Sequence, residues 1–165
     1  DLVGCDSNLS LGYCYNATNA DSKYGSAPPA VGFDFFQGPM DSTGNPDDVA
    51  KMWGREYPGN VNLPMSSFNK YINGTDPSSP THTYNYMKGL NRDGTDYTYN
   101  GNVLKYFVSG DPVSRVGDLD FNPSDRRFML TTGPFTLRPG DSTEVLAAII
   151  AGIACDRLTS NDALK

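Results

Sequence analysis

Residues 118–125, Asp-Leu-Asp-Phe-Asn-Pro-Ser-Asp, carry side-chain oxygens in a D-x-D-x-N-x-x-D series within a turn-rich stretch. Alternate oxygens of such a loop can converge on one hard cation, and calcium takes roughly six to eight oxygens from loops of this kind. Asp118, Asp120, Asn122 and Asp125 are therefore the candidate metal ligands, with calcium as the candidate cofactor. Pro123 stands where an EF-hand loop has glycine, and no glutamate follows at the closing position, so the series is not an EF-hand. The competing reading leaves the acidic turn solvated, with Asp125 paired to Arg126 or Arg127.

Other chemistry has little to draw on. Nucleophilic catalysis through a histidine base has only His82, which no Gly-x-Ser-x-Gly elbow or cysteine-protease signature accompanies. One histidine and three scattered cysteines give no zinc spacing either. Carboxylates such as Glu56 and Glu144 are abundant, but a glycosidase pair is defined by separation in space rather than in sequence. The expectation is a non-catalytic protein. Three cysteines leave at least one thiol unpaired. Cys5 and Cys14 flank a short polar segment, and a chain that turns back between them would bring them together as a disulfide in an oxidising compartment. Cys155 follows an apolar run and reads as a buried thiol, or else as one bonded to a segment elsewhere.

The aromatic residues form the second constellation. Ten Tyr, eight Phe and Trp53 include Tyr13, Tyr15, Phe33, Phe35 and Phe36, then Tyr84, Tyr86, Tyr97 and Tyr99. On an exposed strand face they could stack on sugars, which makes glycans candidate partners; on a covered face they pair across strands and stabilise the sheet. Asn8-Leu9-Ser10, Asn16-Ala17-Thr18 and Asn73-Gly74-Thr75 fit the N-glycosylation sequon.

The elements that must position these groups are mostly strands. Residues 126–131, 135–137 and 142–150 are β-rich runs separated by Thr132-Gly133-Pro134 and Arg138-Pro139-Gly140-Asp141. The run after Thr143 becomes continuously apolar, as in a central strand buried on both faces. Residues 81–90 alternate aromatic with polar and, across Asp93-Gly94, predict a hairpin with residues 96–100; residues 103–108 make the next strand. Residues 9–15 and 31–36 are further strands. Residues 47–53 and 66–72 predict short helical turns, the first capped by Asn45 or Asp47, and residues 158–165 open a helix capped by Ser160 or Asn161.

Composition bounds the rest. At 165 residues, with 38% hydrophobic and 19% charged residues, 17 Gly and 12 Pro, the chain suits one folded domain rich in turns and excludes a helical bundle. A net charge of −6 opposes binding to nucleic acid or to an anionic membrane surface. The longest apolar run, residues 145–154, falls short of the roughly 20 residues that span a bilayer, so no membrane insertion is expected. The ends read as cuts within a longer text, Asp1 to Cys5 lacking a leader and residues 158–165 opening a further element.

Several blocks together, DLVGCDSNLSLGYCYN (1–16), PPAVGFDFFQGP (28–39), MSSFNKYINGTDPSSPTHTYNYMKGL (65–90) and SGDPVSRVGDLDFNPSDRRFMLTTGPFTLRPGDSTEV (109–145), resemble a region of large secreted bacterial proteins that often end in a type IX secretion sorting domain. The resemblance weakens at residues 40–62 and near the end, and Ile153-Ala154-Cys155 stands where such relatives have glycine-rich text. It implies an exported, multidomain context with neighbouring β modules, and it transfers no catalytic residue. The combined expectation is a mainly β fold, an antiparallel jelly-roll-like β-sandwich with long loops and one or two short helices. Residues 1–165 are expected to form a single domain that is a fragment of a longer secreted chain. Its expected role is an extracellular structural or adhesive module at the cell surface, with copies of itself or neighbouring modules as partners, or alternatively a carbohydrate-binding module.

Overall fold

A computed structural model describes residues 1–72 and 74–165, so Asn73, acceptor of the third sequon, lies outside the described residues. The chain runs through β1 (Leu2–Asp6), β2 (Leu11–Tyr15), β3 (Ala30–Gln37), β4 (Met40–Ser42), β5 (Val49–Met52), β6 (Arg55–Pro58), β7 (Asn60–Asn62) and β8 (Met65–Ile72). Helix α1 (Pro80–Met87) follows, then β9 (Tyr97–Tyr99), β10 (Asn102–Leu104), β11 (Arg126–Thr132), β12 (Leu146–Gly152) and α2 (Arg157–Asp162). The fold is mainly β. Its largest sheet has four antiparallel strands in the order β1-β2-β3-β12, and the two-stranded pairs β8–β11, β9–β10, β4–β7 and β5–β6 are separate from it. No helix of the described residues is long and apolar enough to cross a membrane.

Strand alternation distributes the core over both faces of the large sheet. Pairing of Leu2 with Tyr15 and of Asp6 with Leu11 sets Leu2, Leu11, Tyr13 and Tyr15 on one face. There they pack with Ala30 and Leu164, and Ile150 and Leu158 lean against them, so this face is closed by α2 and the residues after it. The opposite face presents Val3 and Cys5 to Met65, Phe68, Phe107 and Val108. Gly12 is required at this crossing, because a Cβ there would lie 2.7 Å from Phe68 and 2.7 Å from Leu130.

Phe68 is the centre of the second core. It is 0% exposed, sits opposite Leu130 in the β8–β11 ladder, and bridges in parallel to Tyr106. Its N–H donates to the Lys105 carbonyl at 3.1 Å, and its own carbonyl accepts from Phe107 N–H at 3.0 Å.

Several expectations are corrected. Residues 81–87 are helical, because Ser79 caps the helix by accepting from His82 N–H and Pro80 occupies the first turn, which overrides the alternating pattern. Residues 49–52 and 66–72 are strands rather than helical turns. The first forms a hairpin with β6 around Trp53 and Gly54, both at positive φ; the second is drawn out by pairing with β11. Residues 135–137 form no strand. The final helix starts earlier than expected, with Asp156 capping Leu158 and Thr159 N–H. The strand after Thr143 is an edge strand rather than a central one.

Truncating Phe68 to alanine should cost about 3–5 kcal/mol of stability, whereas Phe121→Ala, at a side chain 74% exposed, should change it by less than about 0.5 kcal/mol. Urea unfolding of the two variants tests whether the second core is organised around Phe68.

Candidate functional site

The acidic series does not gather around a common point. Asp120 turns into the protein and its side chain is 1% exposed. Arg126 meets it with two donors, Nε to Oδ2 and Nη2 to Oδ1, both at 2.7 Å. Lys70 Nζ donates to Oδ1 at 2.8 Å, and Val3 N–H donates to Oδ2 at 3.2 Å. Asp118 is also buried, and its Oδ2 accepts from Tyr97 O–H at 2.6 Å and from Val108 N–H at 2.8 Å. Burial first, and the Asp118 carboxylate second, hold the Tyr97 hydroxyl well above its ordinary pKa.

Asn122 contributes only its backbone carbonyl, which accepts from Arg126 Nη2. Asp125 points elsewhere and accepts from Arg127 at 3.1 Å, while Arg127 also reaches Asp76 at 2.6 Å. Several of these oxygens are taken up by N–H and O–H donors, and the Arg126 guanidinium bridges Asp120 and the Asn122 carbonyl. Among the described residues, no three His, Cys, Asp or Glu side chains form a group that could hold a metal. In this arrangement the stretch works as a clamp: Asp120 ties its loop to β1, β8 and β11 at once.

The expected Cys5–Cys14 disulfide is not formed, and all three cysteines are free thiols. Cys5 faces Gly12 and Cys14 faces Val3, so the two cysteines share a face but are offset by two residues in register. Diagonal positions lie about 7 Å apart, whereas a disulfide needs Cβ atoms within about 4.5 Å. Cys5 Sγ instead donates to the Phe107 carbonyl at 3.6 Å; burial above all, then Asp6 and Asp118, pushes this thiol far up from its ordinary pKa. Burial raises Cys14 too. Cys155 is exposed, contrary to the buried reading.

His82 belongs to a local clamp at the start of α1. Its Nδ1 accepts from Arg92 Nε at 3.1 Å and lies 3.2 Å from Ser78 Oγ, which in turn accepts from Arg92 Nη2 at 2.6 Å. The nitrogen that faces Ser78 is thus already held by Arg92 and is poorly placed to take up a serine proton. Glu144 is also spoken for, accepting from Trp53 N–H at 2.8 Å and Gln37 Nε2 at 3.1 Å, while Glu56 sits across from Lys51 in the β5–β6 hairpin. Several aromatic rings meet one another: Phe33 and Phe68 both contact Phe128, Tyr71 stacks on Tyr86, and Tyr97 stacks on Phe107. Tyr13, Tyr15 and Tyr86 are buried, and the exposed rings Tyr24, Phe33, Phe36, Trp53, Tyr84, Phe121 and Phe135 are spread over β3, α1 and the connecting loops.

What remains uncommitted is the β12 side of the large sheet. Register puts Ile149 beside Phe33, Ala151 beside Val31 and Ala147 beside Phe35, all on the face away from α2. Val31, Phe33 and Ile149 are exposed, Ile149 by 71%. Phe33, Phe35, Phe128, Leu130 and Ala147 line an open cavity of about 460 Å³ between this end of the sheet and β11.

The two edges of the sheet differ. On the β1 edge, Asp120 accepts from Val3 N–H, and Asp1 and Ser124 exchange N–H···O bonds, each 3.2 Å. On the β12 edge, the backbone of Leu146–Gly152 makes no hydrogen bond among the described residues beyond its ladder with β3. The sequence signal for this was the composition of the strand itself, LAAIIAG, which lacks the charges and prolines that usually protect an edge.

The fold and site define a mainly β protein of small antiparallel sheets with one covered and one bare sheet edge. Comparison with family models, curated proteins and solved structures finds no match to this chain.

Two outcomes are expected from the clamp and the thiols. Asp120→Ala, which strands the Arg126 and Lys70 cations, should lower stability by about 3–5 kcal/mol, and added calcium should leave the melting temperature of the wild type unchanged; a calcium-dependent rise would show that a cation displaces Arg126. A maleimide should label Cys155 at once in the native protein and Cys5 only on unfolding, which mass spectrometry of the labelled peptides reads directly.

Proposed function

We propose that this chain is a non-catalytic structural or adhesive module of an exported multidomain protein, acting outside the cell by docking to another β surface. The observation that carries the reading is the bare edge of β12 beside the exposed side chains of Val31, Phe33 and Ile149. Natural sheets usually blunt such edges, because unpaired N–H and C=O groups beside apolar side chains recruit other strands. A module whose task is to be joined to a neighbour has reason to keep one.

The resemblance of its sequence blocks to secreted bacterial proteins supports an extracellular setting among neighbouring modules. The packing of β8–β11 across β1–β2, with Phe68 and Leu130 against Gly12, supports a jelly-roll-like sandwich as the finer architecture. Within this reading the bonded carboxylates, His82 and the paired aromatic rings serve the fold, consistent with the hydrogen bonds and ring contacts they make.

Hydrogen exchange on dilute protein tests the open edge. Outward-facing amides of β12 should exchange far faster than those of β2, while Val3 on the opposite edge stays protected. Uniformly slow exchange across β12 would mean the edge is already closed and would remove the docking reading. Sugar-dependent quenching of Trp53 fluorescence would put glycan binding in its place.

A further inference from the structure

We infer that the partner of β12 is β12 of a second copy, the two strands pairing antiparallel about a two-fold axis at Ile149. The inference rests on the docking reading above and names its partner. Three features of the strand point to self-pairing.

The first is charge. Each chain carries −6, so a contact between copies is least opposed where it brings no like charges together, and β12 contains no charged residue over its whole length. Like charges placed opposite each other across a strand pair would be destabilising.

The second is regularity. The one register shift in this ladder falls where Leu146 pairs with Gln37 and Ala147 with Phe35, so the extra residue is Phe36 of β3. β12 itself runs without a bulge, and bulges are one of the devices by which edges are turned away from partners.

The third is self-complementarity. Antiparallel pairing centred on Ile149 sets Leu146 opposite Gly152, Ala147 opposite Ala151, Ala148 opposite Ile150 and Ile149 opposite itself, using all seven residues. Apart from Ile149, every large side chain meets a small one. Moving the axis to Ala148 would set Leu146 against Ile150, and moving it to Ile150 would leave Leu146 and Ala147 without partners. At the axis the two Ile149 side chains lie on the open face, flanked by alanines 147 and 151 from both copies. The joined sheet has eight strands, twice the four of each copy, and two-fold closure leaves the covered β1 edges at its ends.

Light scattering over a range of concentrations tests the assignment. The apparent mass should double as concentration rises. Ile149→Lys, at a side chain 71% exposed, should hold the protein at the monomer mass throughout, while Phe121→Lys, far from this edge, should leave the doubling intact. In a Cys155→Ser background, Ile149→Cys should cross-link to the dimer mass under mild oxidation, because the axis brings the two positions together. A monomer at every concentration, or a dimer that survives Ile149→Lys, overturns the inference. The two proposals fail differently: fast exchange of β12 in a protein that never dimerises removes self-pairing alone, and slow exchange in the dilute monomer removes both.

Discussion

The carboxylate of Asp120 ties three strands of the fold together. It is fully withdrawn from water yet meets Arg126 through two donors, Lys70 through a third and Val3 N–H through a fourth. A buried carboxylate with any of these missing would be strongly unfavourable, since desolvating a charge is tolerated only when its oxygens are fully bonded. The four donors come from β1 of the large sheet and from the paired strands β8 and β11. Their common acceptor therefore fixes where β8–β11 lies across the large sheet, and Phe68 and Leu130 then close over Gly12. Ion pairing sets the alignment, and apolar burial supplies most of the driving force.

The same loop decides which edge of the sheet is open. By reaching Val3 N–H and exchanging bonds between Ser124 and Asp1, it covers the β1 edge with backbone and carboxylate partners. Nothing comparable reaches β12 among the described residues, because the chain leaving Gly152 turns onto the other face to form α2. Gly152 itself permits that departure: a Cβ there would lie 2.4 Å from the Ser160 carbonyl. The asymmetry of the two edges thus follows from where the two flanking loops go, one along an edge and one across a face.

Strands with their own local signal were legible in the sequence, and those made by distant pairing were not. Residues 11–15, 30–37 and 126–132 carry β-branched and aromatic residues between turn signals, and they are strands. Residues 66–72 have no such pattern and become a strand only because β11, more than fifty residues away, aligns with them. Residues 80–87 alternate like a strand yet form a helix, since the Ser79-Pro80 start outweighs a periodicity that also arises by chance in a short aromatic-rich run. At the acidic series, the spacing of oxygens was legible but their donors were not: Lys70 is fifty residues from Asp120, and the cation that satisfies a carboxylate cannot be read from the carboxylate's own neighbours. The cysteine pair failed for a related reason, a two-residue offset in register that no sequence spacing reveals.

The β12 edge shows why a continuous apolar run is ambiguous in sequence. Such a run fits a strand covered on both faces, and it fits equally a strand covered on one face and left open along its edge and other face. The ladder with β3 resolves this by fixing which side chains face α2: Ile150 packs toward Leu2, Leu11 and Tyr13, and Ile149 stands out beside Phe33. A slip of one residue would exchange those two faces, bringing Ile149 under the helix and turning Ile150 outward. Because both residues are isoleucine, side-chain size alone would not resist the slip. What resists it is Gly152, whose place against α2 has no room for a side chain, so that the residue marking the end of the strand also sets its facing. Any strand that approaches β12 therefore meets one fixed pattern, a single isoleucine between two alanines with open backbone along its side.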